Sequence, residues 1–251
     1  MSRLSIRYLA ITFTIMIVAW GACVICSAND ITLQNNTMLY VPYLLGGLSP
    51  TIASYLALKS LGIVTGFQAW LKHIFDFKHG LFSYLAVMML AAVYYVSQSL
   101  ISGYQSGAPL WMILVLLPAM LFGGGLEEAG WRYILQPEME KRFPFWLSAL
   151  SVGVIWWIWH LPLFYIAGTG QSSMNFFLFG VSAIALSFAL ATIKKISNSV
   201  WLCVLFHCLT NALSGIFIIN NSVAGYMLSA IALILASSLV LAIAKKNSIF
   251  T

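Results

Sequence analysis

Charge is scarce in this chain. Its 251 residues include six Asp and Glu and twelve Lys and Arg, 7% in all. A soluble domain carries about a quarter. So few charges cannot cover the water-facing surface of a fold this size, which excludes a soluble globular protein. No long polar tract lies at either end, so residues 1–251 read as a single integral membrane domain. Cysteine is also sparse: Cys23, Cys26, Cys203 and Cys208. The first two form a C-x-x-C inside an apolar stretch, with no matching pair elsewhere. They read as small packing residues, with no disulfide and no cysteine–zinc site. Internal repeats, low-complexity segments and interdomain linkers are missing as well.

What the chain has in abundance is apolar residues, 61% of the total. A crossing of the hydrocarbon core needs roughly 20 of them in succession. Eight stretches qualify, at about 6–27, 38–59, 81–101, 109–135, 144–167, 174–193, 198–219 and 223–244. The fold class is therefore all-α: a polytopic membrane helix bundle of about eight transmembrane helices. Between the second and third lies "GFQAWLKHIFDFKHG", whose mixed Trp, Phe, Lys and His content suits an amphipathic helix at the interface. His73 and His79 in this segment read as solvated surface groups.

The basic residues orient the bundle. Lys and Arg concentrate in cytoplasmic segments. With both termini cytoplasmic, Arg3 and Arg7, Lys59, Lys72 and Lys78, Lys141 and Arg142, Lys194 and Lys195, and Lys245 and Lys246 all fall on that side. The expected outer loops carry one charge, Asp30. The net charge of +6 thus reports orientation, and no nucleic-acid partner is expected. Localisation follows as a multi-pass membrane protein, in the cell membrane if the source is bacterial.

One basic residue breaks the pattern. Arg132 sits inside the fourth apolar stretch, in "GGGLEEAGWRYIL", with Glu127 and Glu128. Ionisable groups in a bilayer cost roughly 2.5–3.5 kcal/mol each on insertion scales and normally face the bundle interior. Glu128 and Arg132 are four apart and share a helical face, so they can pair. Glu127 points about 100° away and is left free. A free buried carboxylate suits general acid–base work. The bland reading is a structural ion-pair cluster, but a pair does not account for the second glutamate.

Two other stretches bring polar groups. "VIWWIWHLPLF" places His160 just before Pro162, which blocks a regular hydrogen bond to the Ile158 carbonyl. Glu127 and His160 lie at similar separations from the polar connection at Lys141–Pro144, so antiparallel helices bring them to similar depth. "LFHCLTNAL" places His207 and Asn211 four apart on one face. Both can donate hydrogen bonds, either to a developing oxyanion or as an interhelical clamp.

These residues carry a resemblance. "EEAGWR" resembles the E-E-x-x-x-R motif of the type II CAAX prenyl endopeptidase and bacteriocin-processing family of intramembrane proteases. "WIWHLP", with Trp156 four before His160, is similar to its second motif, and "HCLTN" to its third. All three occur in family order, in a core of about 109–219. The second stretch, "GGLSPTIASYLAL", also resembles an early segment of the family. The resemblance implies an endopeptidase whose site opens toward the cytoplasm and the lipid. It implies that Glu127 and His160 activate water, that His207 and Asn211 stabilise the oxyanion, and that Glu128 and Arg132 hold the site's shape. The expected substrate is a membrane peptide or a lipidated protein.

Two questions stay open at this level. A metal-free mechanism is favoured, because no H-E-x-x-H helix is present. A divalent metal such as zinc, held by Glu127, His160 and His207, is the alternative. A non-enzymatic immunity or scaffold protein on the same fold is the alternative to a peptidase, and a proton or solute transporter is weakened by the lack of a repeat. Substrate identity and oligomeric state are not encoded in any feature of the sequence.

Overall fold

The computed structural model describes residues 1–246. Nearly all of it is helix. Helix α1 (Arg3–Ser27) is 25 residues long and apolar enough to cross a membrane. Helices α2 (Tyr40–Gly47) and α3 (Ser49–Ser60) follow as a bent pair, the arm Thr37–Gly47 meeting α3 at 47°. Pro50 explains the break: it lacks an N–H and its ring crowds the carbonyl four residues back. Gly46 lets Trp20 of α1 pack against the bend; a Cβ there would lie 2.3 Å from the indole.

Helix α4 (Phe67–Ile74) is the short amphipathic element expected from the sequence. It buries Trp70 and Ile74 and exposes Lys72 and His73. His73 stacks on Tyr133 at 4.3 Å between ring centres, so it is exposed yet in contact. Helix α5 (Leu81–Ser102) leads to strand β1 (Tyr104–Ser106).

The fourth apolar stretch departs from the expected single helix. Helix α6 (Ile113–Ala119) stops at a glycine-rich break. A 3-10 turn over Gly125–Glu127, one α-turn α7 (Glu128–Gly130), a π-turn Trp131–Leu135 and helix α8 (Gln136–Glu140) then follow. Gly124 has φ +136°, a conformation open to glycine but strained for other residues. Helices α9 (Phe145–Trp159), α10 (Phe176–Ser197) and α11 (Val200–Ile216), strand β2 (Phe217–Ile219) and helix α12 (Val223–Lys246) complete the chain. Strands β1 and β2 pair antiparallel as a small ribbon.

Among the described residues, five helical segments are long and apolar enough to cross a membrane, and a sixth if the bent pair counts as one. The expected count of about eight transmembrane helices is not confirmed. The fourth and seventh candidates give the shorter apolar helices Leu110–Ala119 and Val200–Ile216 instead, the fourth because its glycines break it.

The bundle has two unlike ends. At one, Arg7 donates to Ser60 at 2.8 Å and Lys195 pairs with Glu140 at 2.8 Å. Met1, Glu138 and Arg142 line one hollow there, and Lys72, Lys78 and Asn198 another. At the other end lie the β-ribbon, the bond from Ala167 N–H to Ser27 Oγ (3.0 Å), and Ser102 against Gly225. Because α12 starts there, Lys245 and Lys246 return to the first end. The structure thus gathers onto one end the basic residues that the sequence assigns to one side.

Candidate active site

The six residues singled out above come together in two linked groups. Glu128, Arg132 and His207 form the first. Arg132 Nε donates to Glu128 Oε2 at 3.0 Å, and both side chains are fully buried. The expected brace therefore exists, although a π-turn rather than a regular helix carries it. The other carboxylate oxygen, Oε1, accepts from His207 Nδ1 at 2.8 Å. A carboxylate paired this way only accepts, so Nδ1 carries the proton and Nε2 is turned away from Glu128. Glu128 thus holds the imidazole as well as the guanidinium, a role the sequence reading missed.

Arg132 makes three further hydrogen bonds. Its Nη1 donates to Gln136 Oε1 (3.1 Å) and to the Ser187 carbonyl (3.3 Å), and Nη2 donates to Ser187 Oγ (3.1 Å). Gln136 passes a bond to Glu140 at 2.8 Å, and Glu140 meets Lys195. Gln136 and Ser187 were not singled out from sequence. The available signal was polarity at fully buried positions: Gln136 is four residues past Arg132, and Ser187 lies in an apolar helix.

Trp156 organises the second group. Its indole Nε1 donates to Glu127 Oε2 at 2.8 Å, and its carbonyl takes the His160 Nδ1 proton at 2.8 Å. His160 then keeps Nε2 as a bare acceptor. Among the described residues no hydrogen bond joins Glu127 to His160 directly. They are brought to one cavity with Trp156 between them, rather than meeting as the hairpin argument expected. His160 caps α9, which ends because Pro162 cannot continue its hydrogen bonds; a 3-10 turn over Leu161–Tyr165 follows. Trp159 and Phe179 pack their rings against the imidazole at 4.7 and 5.0 Å.

Gly124 joins the two groups. Its missing side chain leaves room for His207 and Asn211: an added Cβ would lie 2.8 Å from His207 Nε2 and 2.6 Å from Asn211 Nδ2. Asn211 is itself anchored by donating to the Gly123 carbonyl at 2.9 Å, which leaves its second amide N–H. The glycine run that precedes the glutamates therefore provides both the break and the close approach.

Glu127, His160, His207 and Asn211 line one cavity of about 380 Å³. Leu190, Phe206, Gln171, Asn221 and residues of strand β2 also line it.

Glu127, His160 and His207, the alternative metal-ligand set, line that same cavity. Among the described residues no three His, Cys, Asp or Glu side chains converge as a metal-binding group. His160 and His207 have each committed Nδ1, and Glu127 accepts from Trp156. Each Nδ1 bond leaves that ring's Nε2 turned away from its partner, an arrangement open to acid–base work or to a metal.

Comparison with known proteins bears on the same region. A curated protein of Methanococcus maripaludis named CAAX prenyl protease 2 is 25% identical over 118 residues, covering 43% of this chain. The chain matches 42% of that relative's length. The family model described as "Type II CAAX prenyl endopeptidase Rce1-like" matches residues 109–213, a span that holds Glu127, Glu128, Arg132, His160, His207 and Asn211. Over that span the chain is similar to the Rce1-like type II CAAX prenyl endopeptidases.

Proposed function

We propose that the protein is an intramembrane endopeptidase of the CAAX-protease type, hydrolysing a peptide bond of a membrane-associated peptide or lipidated protein. One observation carries this reading. Two proton acceptors, Glu127 and His160 Nε2, and two hydrogen-bond donors, His207 and Asn211, face one cavity within an apolar bundle.

The chemistry follows from those atoms. A water between Glu127 and His160 gives up a proton as its oxygen attacks the scissile carbonyl carbon. Charge develops on the carbonyl oxygen. His207, protonated on both nitrogens, and the second Asn211 N–H donate to it. The carboxylate of Glu128 offsets the imidazolium charge, and Arg132 keeps that carboxylate in place. The abstracted proton then moves to the departing amine nitrogen, and the C–N bond breaks. No step needs a metal, and the buried, water-poor surroundings strengthen each electrostatic contact.

The test is a comparison in proteoliposomes of full-length wild type with Glu127→Ala and His160→Ala. Two quenched fluorescent peptides serve as probes, one ending in a farnesylated C-a-a-X sequence and one apolar and unlipidated. Wild type is expected to cleave at least one of them, and each variant to lose more than 99% of that rate while inserting and melting normally. Full activity in both variants refutes the assignment.

A further inference from the structure

The amphipathic segment at residues 66–80 takes no part in the site described above. Together with the start of α5 and the junction of α10 and α11, it encloses a hollow of about 600 Å³ at the basic end of the bundle. Three hydrogen bonds fold the last part of the segment. Lys78 N–H donates to Asp76 Oδ1 at 3.1 Å, His79 Nε2 donates to the Asp76 carbonyl at 2.9 Å, and Tyr84 Oη donates to the Phe77 carbonyl at 2.9 Å. Lys78 and, from α4, Lys72 line the hollow. The ion pairs at this end use Lys141 and Lys195; among the described residues, the ammonium groups of Lys72 and Lys78 have no carboxylate partner.

The rest of the wall adds a buried cation and uncommitted donors. Lys194 of α10 is only 9% exposed, and its Nζ donates to the Asn198 carbonyl (2.8 Å) and to Asn198 Oδ1 (2.6 Å). Asn198 lines the hollow, and with its oxygens so engaged it keeps its amide N–H groups to donate. Burial and the nearby Lys194 charge hold the His73 imidazole below its usual value, so His73 lines the hollow as a neutral ring. Ser83 also lines it; the side chain is buried, and among the described residues its Oγ has no hydrogen-bond partner. Ser83 stands in the first turn of α5, whose N-cap is Gly80, a residue with no side chain to cap it. The first N–H groups of α5 therefore lack a capping partner and favour negative charge. Helix α11 begins at the same hollow. Its N-cap Ser199 accepts from Leu202 N–H at 3.1 Å and keeps its own hydroxyl proton. Asp76 is the acid that lines the hollow, against the charges of Lys72, Lys78 and the buried Lys194.

Ammonium groups, an uncapped helix start, an amide and a hydroxyl are the donors that a phosphate group accepts from. The surroundings indicate what carries that phosphate. Phe77 and Leu81, which flank the hollow in sequence, are 56% and 73% exposed and offer an apolar surface to acyl chains. The chain's basic residues collect at this end, as they do beside an anionic leaflet. We propose that this hollow binds the phosphate group of an anionic phospholipid, with the acyl chains lying over Phe77 and Leu81. The assignment is independent of the peptidase reading.

Native mass spectrometry of the full chain in detergent tests this, with phosphatidylglycerol as the probe and zwitterionic phosphatidylcholine as the control. Wild type is expected to take up one phosphatidylglycerol saturably and to bind phosphatidylcholine at least tenfold more weakly. Lys72→Gln combined with Lys78→Gln is expected to weaken that first binding event by roughly tenfold or more. Ser83→Ala, which keeps every charge, is expected to weaken it by about threefold or more. Lys245→Gln combined with Lys246→Gln removes the same charge from residues that do not line the hollow, and is expected to change it less than twofold. Melting temperatures near wild type check that each variant folds. Equal weakening by the two double variants means diffuse attraction to surface charge and overturns the proposal, as does full affinity in Ser83→Ala or equal binding of phosphatidylcholine. Inorganic phosphate that displaces the lipid at the lipid's own concentration marks a site for free phosphate and overturns the assignment to a lipid.

Discussion

Substituting Gly124 by alanine tests the site's geometry at the point where its two groups meet. The change adds one methyl group. That methyl would sit 2.6 Å from Asn211 Nδ2 and 2.8 Å from His207 Nε2. Ordinary contact begins near 3.4 Å, so both side chains must retreat by about 0.6–0.8 Å. Neither can do so freely, because His207 is tied to Glu128 and Asn211 to the Gly123 carbonyl. A misplacement of about 1 Å can cost on the order of 100-fold in rate. The backbone adds a second penalty: φ +136° is strained for alanine, by about 1–3 kcal/mol. Gly124→Ala should therefore lower kcat/KM for peptide cleavage by roughly 100-fold and lower the melting temperature by a few degrees. The assay is cleavage of the quenched peptide by detergent-purified protein, with thermal unfolding measured on the same sample. Activity within threefold of wild type would show that His207 and Asn211 need not hold these positions, and would refute their role as oxyanion donors.

Other substitutions separate holding from chemistry. Glu128→Gln leaves Arg132 fully buried without its counter-charge, so it should destabilise the protein by about 3–5 kcal/mol, seen as a large loss of thermal stability. Trp156→Phe keeps an aromatic ring but removes the bond to Glu127 Oε2. A hydrogen bond to a charged group contributes about 1.5–3 kcal/mol, so cleavage should fall at least tenfold in kcat, with little effect on KM. Lys195→Gln removes an ion pair at the half-exposed basic end. Surface pairs of this kind contribute about 0–1 kcal/mol, so its activity and melting temperature should stay near wild type.

Much of the architecture could be read from the chain because a bilayer imposes simple rules. Apolar length marks helices, and the basic residues sort to one end. The polar residues inside the spans were few enough that Glu127, Glu128, Arg132, His160, His207 and Asn211 stood out by cost alone. What was hidden depended on three-dimensional detail. A run of glycines can pack a helix tightly or break it; Gly123–Gly125 break it, and only the positive φ of Gly124 shows which. The bond from His207 to Glu128 joins residues 79 positions apart, so no local spacing announces it. Trp156 was visible as part of a motif, but not as the group that receives Glu127 on its indole and His160 on its carbonyl.

The central claim is that Glu127 is the carboxylate that works on the attacking water, whereas Glu128 is structural. The most direct measurement is single-turnover cleavage by wild type and Glu127→Gln, an exchange that keeps the side chain's shape and its capacity to accept from Trp156. The account predicts a fall of at least 1,000-fold for Glu127→Gln with an unchanged melting temperature. Cleavage within tenfold of wild type, in a protein that folds normally, would contradict it.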